Sequence, residues 1–244
     1  MAAEAHSTAT LRLTVGDLRV VHPITVPSAP VPATEVVPAL QGLVNAVVAA
    51  AEAGLTKSGE TISCRKGCGA CCRQLVPVSR TEGERLLALV GDMPTERRER
   101  LRARFAAAEA VLEGAGLVER GQKTDREMSL AYFALHLPCP FLEEESCSIH
   151  PDRPLVCREY LVTSPAELCA GPSQEGVTPV PVPKVSMAAR GLQDDGEAWF
   201  PLAGLMAWAK TRPSVGTRRT GPEWVQRFLS AIGARKSAGE RQRL

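Results

Sequence analysis

Eight cysteines dominate the chemistry this sequence can perform. Four fall within nine residues, Cys64-Arg-Lys-Gly-Cys68-Gly-Ala-Cys71-Cys72, and four more follow at Cys139, Cys147, Cys157 and Cys169. Thiolates are soft ligands that select zinc, copper(I) or iron–sulfur clusters over hard ions such as magnesium. Gly67 and Gly69 let the backbone curl so that neighbouring sulfurs can converge. Arg65 and Lys66 favour the thiolate form. Buried free cysteine can also act as a small apolar residue, but four thiols interleaved with Gly, Arg and Lys make a poor apolar core. Met1 to Thr10 shows no basic start followed by an apolar stretch, so a cytoplasmic location is expected. In a reducing compartment, clustered cysteines read as metal ligands rather than disulfides. All eight are therefore candidate ligands.

Their neighbours extend the pattern. Cys71 and Cys72 are adjacent, so their side chains point in different directions and closing both on one tetrahedral metal strains the loop. One of the pair is then free to serve a second, interleaved site completed by the later cysteines. Arg153 and Arg158 are placed to donate N–H groups to sulfur. Pro138, Pro140 and Pro154 reduce the freedom of the unbound loop, while Phe141, Leu142, Ile149 and Leu155 are expected to pack it on the helices. His150, three residues after Cys147, has a usable ligand spacing. The run Glu143-Glu144-Glu145 reads as a solvated loop tip. Cys64, Cys68 and Cys71 also match the spacing of radical S-adenosylmethionine enzymes. Nothing else in this proline-rich chain suggests their βα barrel, and Cys72 adds a fourth thiolate.

Taken together, CRKGCGACC and the later CPFL…CSIHPDRPLVCREY resemble the putative zinc- or iron-chelating domain family, also called YkgJ-like. The matching positions are Cys64, Cys68, Cys71, Cys72, Cys139, Cys147, Cys157 and Arg158, with Cys169 as the final cysteine. The resemblance covers residues 63–169 and implies metal binding, leaving zinc or an iron–sulfur cluster undecided. A bacterial flagellin lysine methylase is distantly similar through the same cysteine motif, though longer. Filled thiolate zinc sites suit structural or chelating roles. An iron–sulfur cluster would suit electron transfer or an enzyme that modifies protein.

Other elements must position these loops. Alternating Leu11, Leu13 and Val15, then Leu18 and Val20, predict a hairpin over residues 11–26 turning at Gly16-Asp17. A proline-rich connector at 27–32 precedes a helix expected at 35–53, capped by Thr34 and stopped by Gly54. Ser79 with Glu82 marks a capping box and a helix to Val90. Thr95 is expected to cap a helix to Glu113 with Leu101, Phe105, Ala108 and Leu112 inward. Further helices are expected at 125–134, 202–210 and after Thr220, the last with Trp224, Phe228, Leu229 and Ile232 on its apolar face. The expected fold is mainly α with long metal-tied loops and a small N-terminal β-hairpin. Its parts would be residues 1–57, the cysteine-cluster domain at 58–172, and an extension at 173–244.

Composition is ordinary for a globular chain, with 44% hydrophobic and 23% charged residues, which excludes wholesale disorder and fibrous repeats. The longest apolar window, 43–51, contains Asn45 and falls short of a bilayer span, so no membrane partner is expected. From Lys210 onward nine basic residues face only Glu223 and Glu240. That tail lacks the aromatic interleaving of single-strand nucleic-acid binders and is read as a surface for a protein partner. No phosphate loop, dinucleotide glycine pattern, nucleophile elbow or HExxH motif is present. Any catalysis would draw on the metal.

Overall fold

The computed structural model describes residues 5–118, 123–171, 175–193, 199–211 and 216–241, with the backbone alone from 234 to 241. Apolar–polar alternation in the first segment produces a half-buried ribbon. Strands β1 (His6–Val15) and β2 (Leu18–Pro27) pair in antiparallel register from His6↔Pro27 to Val15↔Leu18. Gly16, at φ 60°, takes the tight turn, and Val20, Ile24 and Val26 face inward. The proline connector contributes a short strand, β3 (Pro30–Pro32).

A 3-10 turn, Ala33–Val36, leads into α1 (Val37–Lys57). Both ends differ from the sequence expectation. Thr34 lies inside the 3-10 turn and caps nothing, while Pro38 occupies the first helical turn. The helix passes Gly54, whose intrinsic cost of about 1 kcal/mol is overridden by packing. It ends at Gly59, at φ 81°, where Gly59 N–H donates to Thr56 O (3.2 Å) and Glu60 N–H to Leu55 O (3.1 Å). Those two bonds make a Schellman motif. By length and composition, residues 33–57 form one helix apolar enough to span a bilayer, contrary to the sequence expectation. Here Leu40, Leu43, Val44 and Val47 are buried against the protein's own core.

Capping boxes place the next helices. Ser79 and Glu82 open α2 (Arg80–Gly91), which follows β4 (Pro77–Ser79). Pro94 precedes α3 (Thr95–Gly114), so Thr95 is its first residue rather than its cap. Its buried stripe is Leu101, Phe105, Ala108 and Leu112. Thr124 and Glu127 box α4 (Asp125–Ala134). The second cysteine region adds a minimal hairpin, β5 (Leu142–Glu143) with β6 (Ser146–Cys147), and a short helix, α5 (Leu155–Glu159). Beyond it come β7 (Trp199–Pro201), α6 (Leu205–Thr211), β8 (Arg218–Thr220) and α7 (Gly221–Arg241). Thr220 and Glu223 close another capping box: Thr220 N–H donates to Glu223 Oε2 at 2.8 Å. The fold is mainly helical with an N-terminal hairpin, as the sequence predicts.

Two pairings were not foreseen. Strand β3 pairs with β8 and β4 with β7, tying the chain's first third to its end. Trp224 Nε1–H reaches Val31 O at 2.9 Å. One apolar cluster therefore joins the hairpin, α1, Leu155, residues 180–192 and α7. A second gathers Val78, Leu86, Leu101, Phe105, Phe200 and Leu205 around Phe141 and Ile149 of the cysteine region. Of the basic tail, 212–215 and 242–244 lie outside the described residues, and 234–241 are described in backbone alone.

Candidate metal centre

The first cysteine loop is anchored before it begins, by Ser63, whose N–H donates to Val162 O (2.9 Å) and whose hydroxyl donates to Thr163 O (2.9 Å). Gly67 then takes φ 89°, which only a residue without a Cβ adopts cheaply. Gly69 serves differently. A Cβ there would collide with the Glu145 carbonyl oxygen and the Leu142 side chain, so this glycine admits the tip of the β5–β6 hairpin. A 3-10 turn, Ala70–Arg73, carries Cys71 and Cys72. Cys72 O accepts from Cys139 N–H at 2.7 Å, joining the two cysteine groups through the backbone.

The second group is held chiefly by side chains from outside it. Phe141 and Ile149 are buried in the α2–α3 cluster, and the Phe141 ring meets Phe105 edge-on at 5.3 Å. Leu155 is likewise buried, and Leu142 is half-buried. The glutamate run is not simply solvated. Glu144 and Glu145 both sit at positive φ (48° and 55°) in a two-residue turn, a conformation costly for non-glycine residues. Glu145 accepts twice from Arg73 (2.7 and 2.9 Å), and Glu143 pairs with Arg104. Arg104 and Arg97 donate to carbonyls of Pro140, Leu142 and Ser148.

Two buried polar groups fix α5, the helix bearing Cys157. The Glu82 carboxylate accepts from Ser79 N–H and hydroxyl, and its other oxygen accepts from Leu155 N–H (2.9 Å) at the start of α5. Arg158 is buried and donates to Arg153 O (3.1 Å), Asn45 Oδ1 (3.1 Å) and Pro151 O. Its hydrogen bonds therefore hold the loop rather than reach sulfur. Burial, helped by the Arg153 charge, lowers its pKa to about 10. Gln41 on α1 donates to the carbonyls of Asp152 and Arg153 (3.3 Å each).

These brackets bring seven of the eight cysteines onto one cavity of about 360 Å³. Cys64, Cys68, Cys71, Cys72, Cys139, Cys147 and Cys157 line it, with Arg153, Arg158 and His150 beside them. Val76, Phe141, Ile149 and Leu202 add apolar wall, and Asn45, Val48 and Glu52 of α1 face the same space. Cys169, the most buried of the eight, is not on the cavity wall. It lies near Cys71, Cys64 and Cys68, whose charges it feels, on the turn Ala166–Ala170. Cys157 feels Cys71, Cys139 and Cys147. Cys71 thus stands between the early group and the late one. Among the described residues, no three Cys, His, Asp or Glu side chains converge closely enough to hold one ion as they stand. The sulfurs surround a space instead of a point.

Burial pushes the Cys139 thiol up to about 12 and Cys169 to about 11, and raises Cys64, Cys147 and Cys157 as well. The hydrogen bond to Cys72, then burial, raises Cys71. A metal entering here must displace thiol protons. His150 contacts Arg153 Nη1 through Nε2, and burial together with the Arg153, Lys66 and Arg158 charges lowers its pKa. Arg153 Nε is buried without a hydrogen-bond partner. Its guanidinium charge acts on Cys64, Cys71 and Cys147. An orphaned donor beside a soft, all-thiol donor set fits a thiolate-held metal.

Sequence reasoning did not find Gln41, Asn45, Gln74, Glu82 as a loop anchor, or Tyr160. Each acts through a partner distant in the chain, and no local spacing marks them. No curated protein and no solved structure matches the chain. The segment 63–174, which contains all eight cysteines, matches the family model named CxxCxxCC, described as a putative zinc- or iron-chelating domain.

Proposed function

We propose that this chain is a metal-chelating protein whose eight cysteines hold an iron–sulfur centre within the thiol-walled cavity. The observation that carries this reading is that seven thiols share one cavity of about 360 Å³. A four-thiolate zinc site closes around a single ion at Zn–S distances of ~2.3 Å and needs no chamber at its middle. An iron–sulfur core is a multi-atom body whose thiolates are spread around it. When bound, such a centre supplies one-electron redox chemistry, with a potential set by charge, hydrogen bonds to sulfur and solvent exposure. Exposed Arg65 and Lys66 on the cavity wall support access from the surface, which suits electron exchange better than a purely structural ion. The Arg153 charge favours the thiolate form of Cys64, Cys71 and Cys147, and Arg158 fixes the loop.

The position of Cys71 between Cys64, Cys68 and Cys169 on one side and Cys139, Cys147 and Cys157 on the other supports interleaved ligation. Cys72, adjacent to Cys71 on the same cavity wall, completes the set. Serine is a harder and far less acidic ligand than a thiolate. Replacing Cys139, Cys147, Cys157 and Cys169 together by serine is therefore expected to strip metal from the early group too. A full metal load in that variant would confine the chelating unit to Cys64, Cys68, Cys71 and Cys72.

A further inference from the structure

We infer that Asn45 of helix α1 is a positioning residue for the metal centre: through Arg158 it holds the segment that bears Cys157. Metal retention then depends on a residue that precedes the segment matched by the family model. The inference rests on the reading above, that these cysteines hold metal. Gln41, Asn45, Val48 and Glu52 succeed one another at helical spacing and lie on one face of α1. The last three line the cavity. Gln41, one turn before Asn45, donates to the carbonyls of Asp152 and Arg153 at 3.3 Å each. Asn45 Oδ1 accepts from Arg158 Nη1 at 3.1 Å. The same face thus grips residues 151–158 twice, once at the backbone and once through a guanidinium.

Arg158 follows Cys157 on α5 and is buried. Each of its side-chain nitrogens has an acceptor: Nε the Arg153 carbonyl (3.1 Å), Nη2 the Pro151 carbonyl, and Nη1 the Asn45 amide oxygen. The two carbonyls belong to the loop that Arg158 itself closes. Among the described residues, Asn45 is the acceptor that ties this fork to a framework helix. Stranding a buried, charged donor costs more than its hydrogen bond gains when made. A segment held from outside yields locally before the rest of the fold. Helix α1 keeps its place through Leu40, Leu43, Val44 and Val47 on its buried face. Loss of the Asn45 acceptor should therefore loosen α5 and its cysteine without unfolding α1. If Asn45 served the helix alone, leucine or alanine would serve it better, since both form helix more readily than asparagine.

The test uses the full chain purified anaerobically with its native metal, as wild type, Asn45→Leu, Asn45→Ala and Asn45→Asp. Metal content, thermal midpoint and the rate of release to a chelator are measured on each. Asn45→Leu is expected to keep its metal as isolated and release it ~10-fold faster, the order found when an outer partner of a metal site is lost. Asn45→Ala should behave alike. Asn45→Asp keeps an oxygen acceptor for the guanidinium and should return release to the wild-type rate. If Asn45→Leu does not fold, the contrast between Asn45→Ala and Asn45→Asp decides. Wild-type release from Asn45→Leu and Asn45→Ala at full metal load would overturn the inference and leave metal chelation intact. Release from Asn45→Asp as fast as from Asn45→Ala would overturn it too, because the acceptor would then be irrelevant. Wild-type protein devoid of metal would instead overturn the metal reading, and this inference with it.

Discussion

Helix α3 and the second cysteine loop touch at Phe105 and Phe141, yet they are held by different means. The helix carries its own hydrogen bonds, one apolar stripe and a Schellman stop at Gly116, at φ 65°, where Leu117 N–H donates to Leu112 O at 2.8 Å. The loop, from Cys139 to Cys157, has a two-rung hairpin and little other regular structure. Its backbone is pinned by side chains of α1, α2 and α3: Gln41, Glu82, Arg97 and Arg104. A segment held mainly from outside has few interactions of its own to lose before it opens. The framework should therefore stand without metal, whereas the loops should not.

The largest expected effect is metal removal. Structural zinc ligation contributes an apparent ~10–16 kcal/mol in small peptides, comparable to the ~5–15 kcal/mol that stabilises whole domains. Chelator-treated protein should lose hydrogen-exchange protection over 63–73 and 139–170 while α1 and α3 retain theirs. Unchanged loop protection and an unchanged thermal midpoint would erase the distinction between the regions. Loading should also release protons and weaken as pH falls, because the cavity thiols have raised pKa values.

Phe105→Ala probes the other side of the comparison. Phe105 is fully buried, and truncating such a residue costs about 3–5 kcal/mol. Urea denaturation should show that loss while metal per folded molecule stays the same. A fall in metal content proportional to the stability loss would mean that framework and loop are one unit.

A pH effect of a few kcal/mol at most is expected from Glu159, at the end of α5. Burial raises its pKa from 4.5 to about 7, although Ser186 N–H and hydroxyl donate to the carboxylate. The folded value lies above the unfolded one. The stability this group contributes is therefore full below about 4.5 and drains away as pH rises through 7. The thermal midpoint of metal-loaded protein should fall across that window, and Glu159→Gln should flatten the slope. Parallel curves for the two proteins would assign the slope elsewhere.

Gly69→Ala is expected to have the smallest effect on stability, about 1–3 kcal/mol from overpacking, since it displaces only the Glu144-Glu145 tip. Its signature is a disproportionate loss of metal. Normal metal loading would show that the close approach of the hairpin to the first loop is dispensable.

What could be read from residue order follows the same division. Helices α2, α4 and the stripe of α3 were readable because their signals are local, as in Ser79 with Glu82 or Leu101, Phe105, Ala108 and Leu112 at helical spacing. The hairpin was readable from alternation around Gly16-Asp17. The end of α1 was not, because two glycines competed and tertiary burial of Leu43, Val44 and Val47 carried the helix past Gly54 to Gly59. Pairing of β3 with β8 joins two triplets nearly two hundred residues apart in the chain. No periodicity reports such a contact. Within the site, ligand type and number were readable from the cysteines themselves. The brackets were not, because Glu82 first reads as a helix cap and Asn45 as a flaw in an apolar face. Each becomes part of the site only through a bond to Leu155 or Arg158.

The central claim is that the thiol-walled cavity holds an iron–sulfur centre rather than a lone zinc ion. Iron, zinc and acid-labile sulfide should be quantified on the full chain purified without oxygen, alongside its visible absorption spectrum. The account predicts brown protein with iron and sulfide in comparable amounts, both lost in Cys71→Ser. Colourless protein with stoichiometric zinc and no sulfide would contradict it.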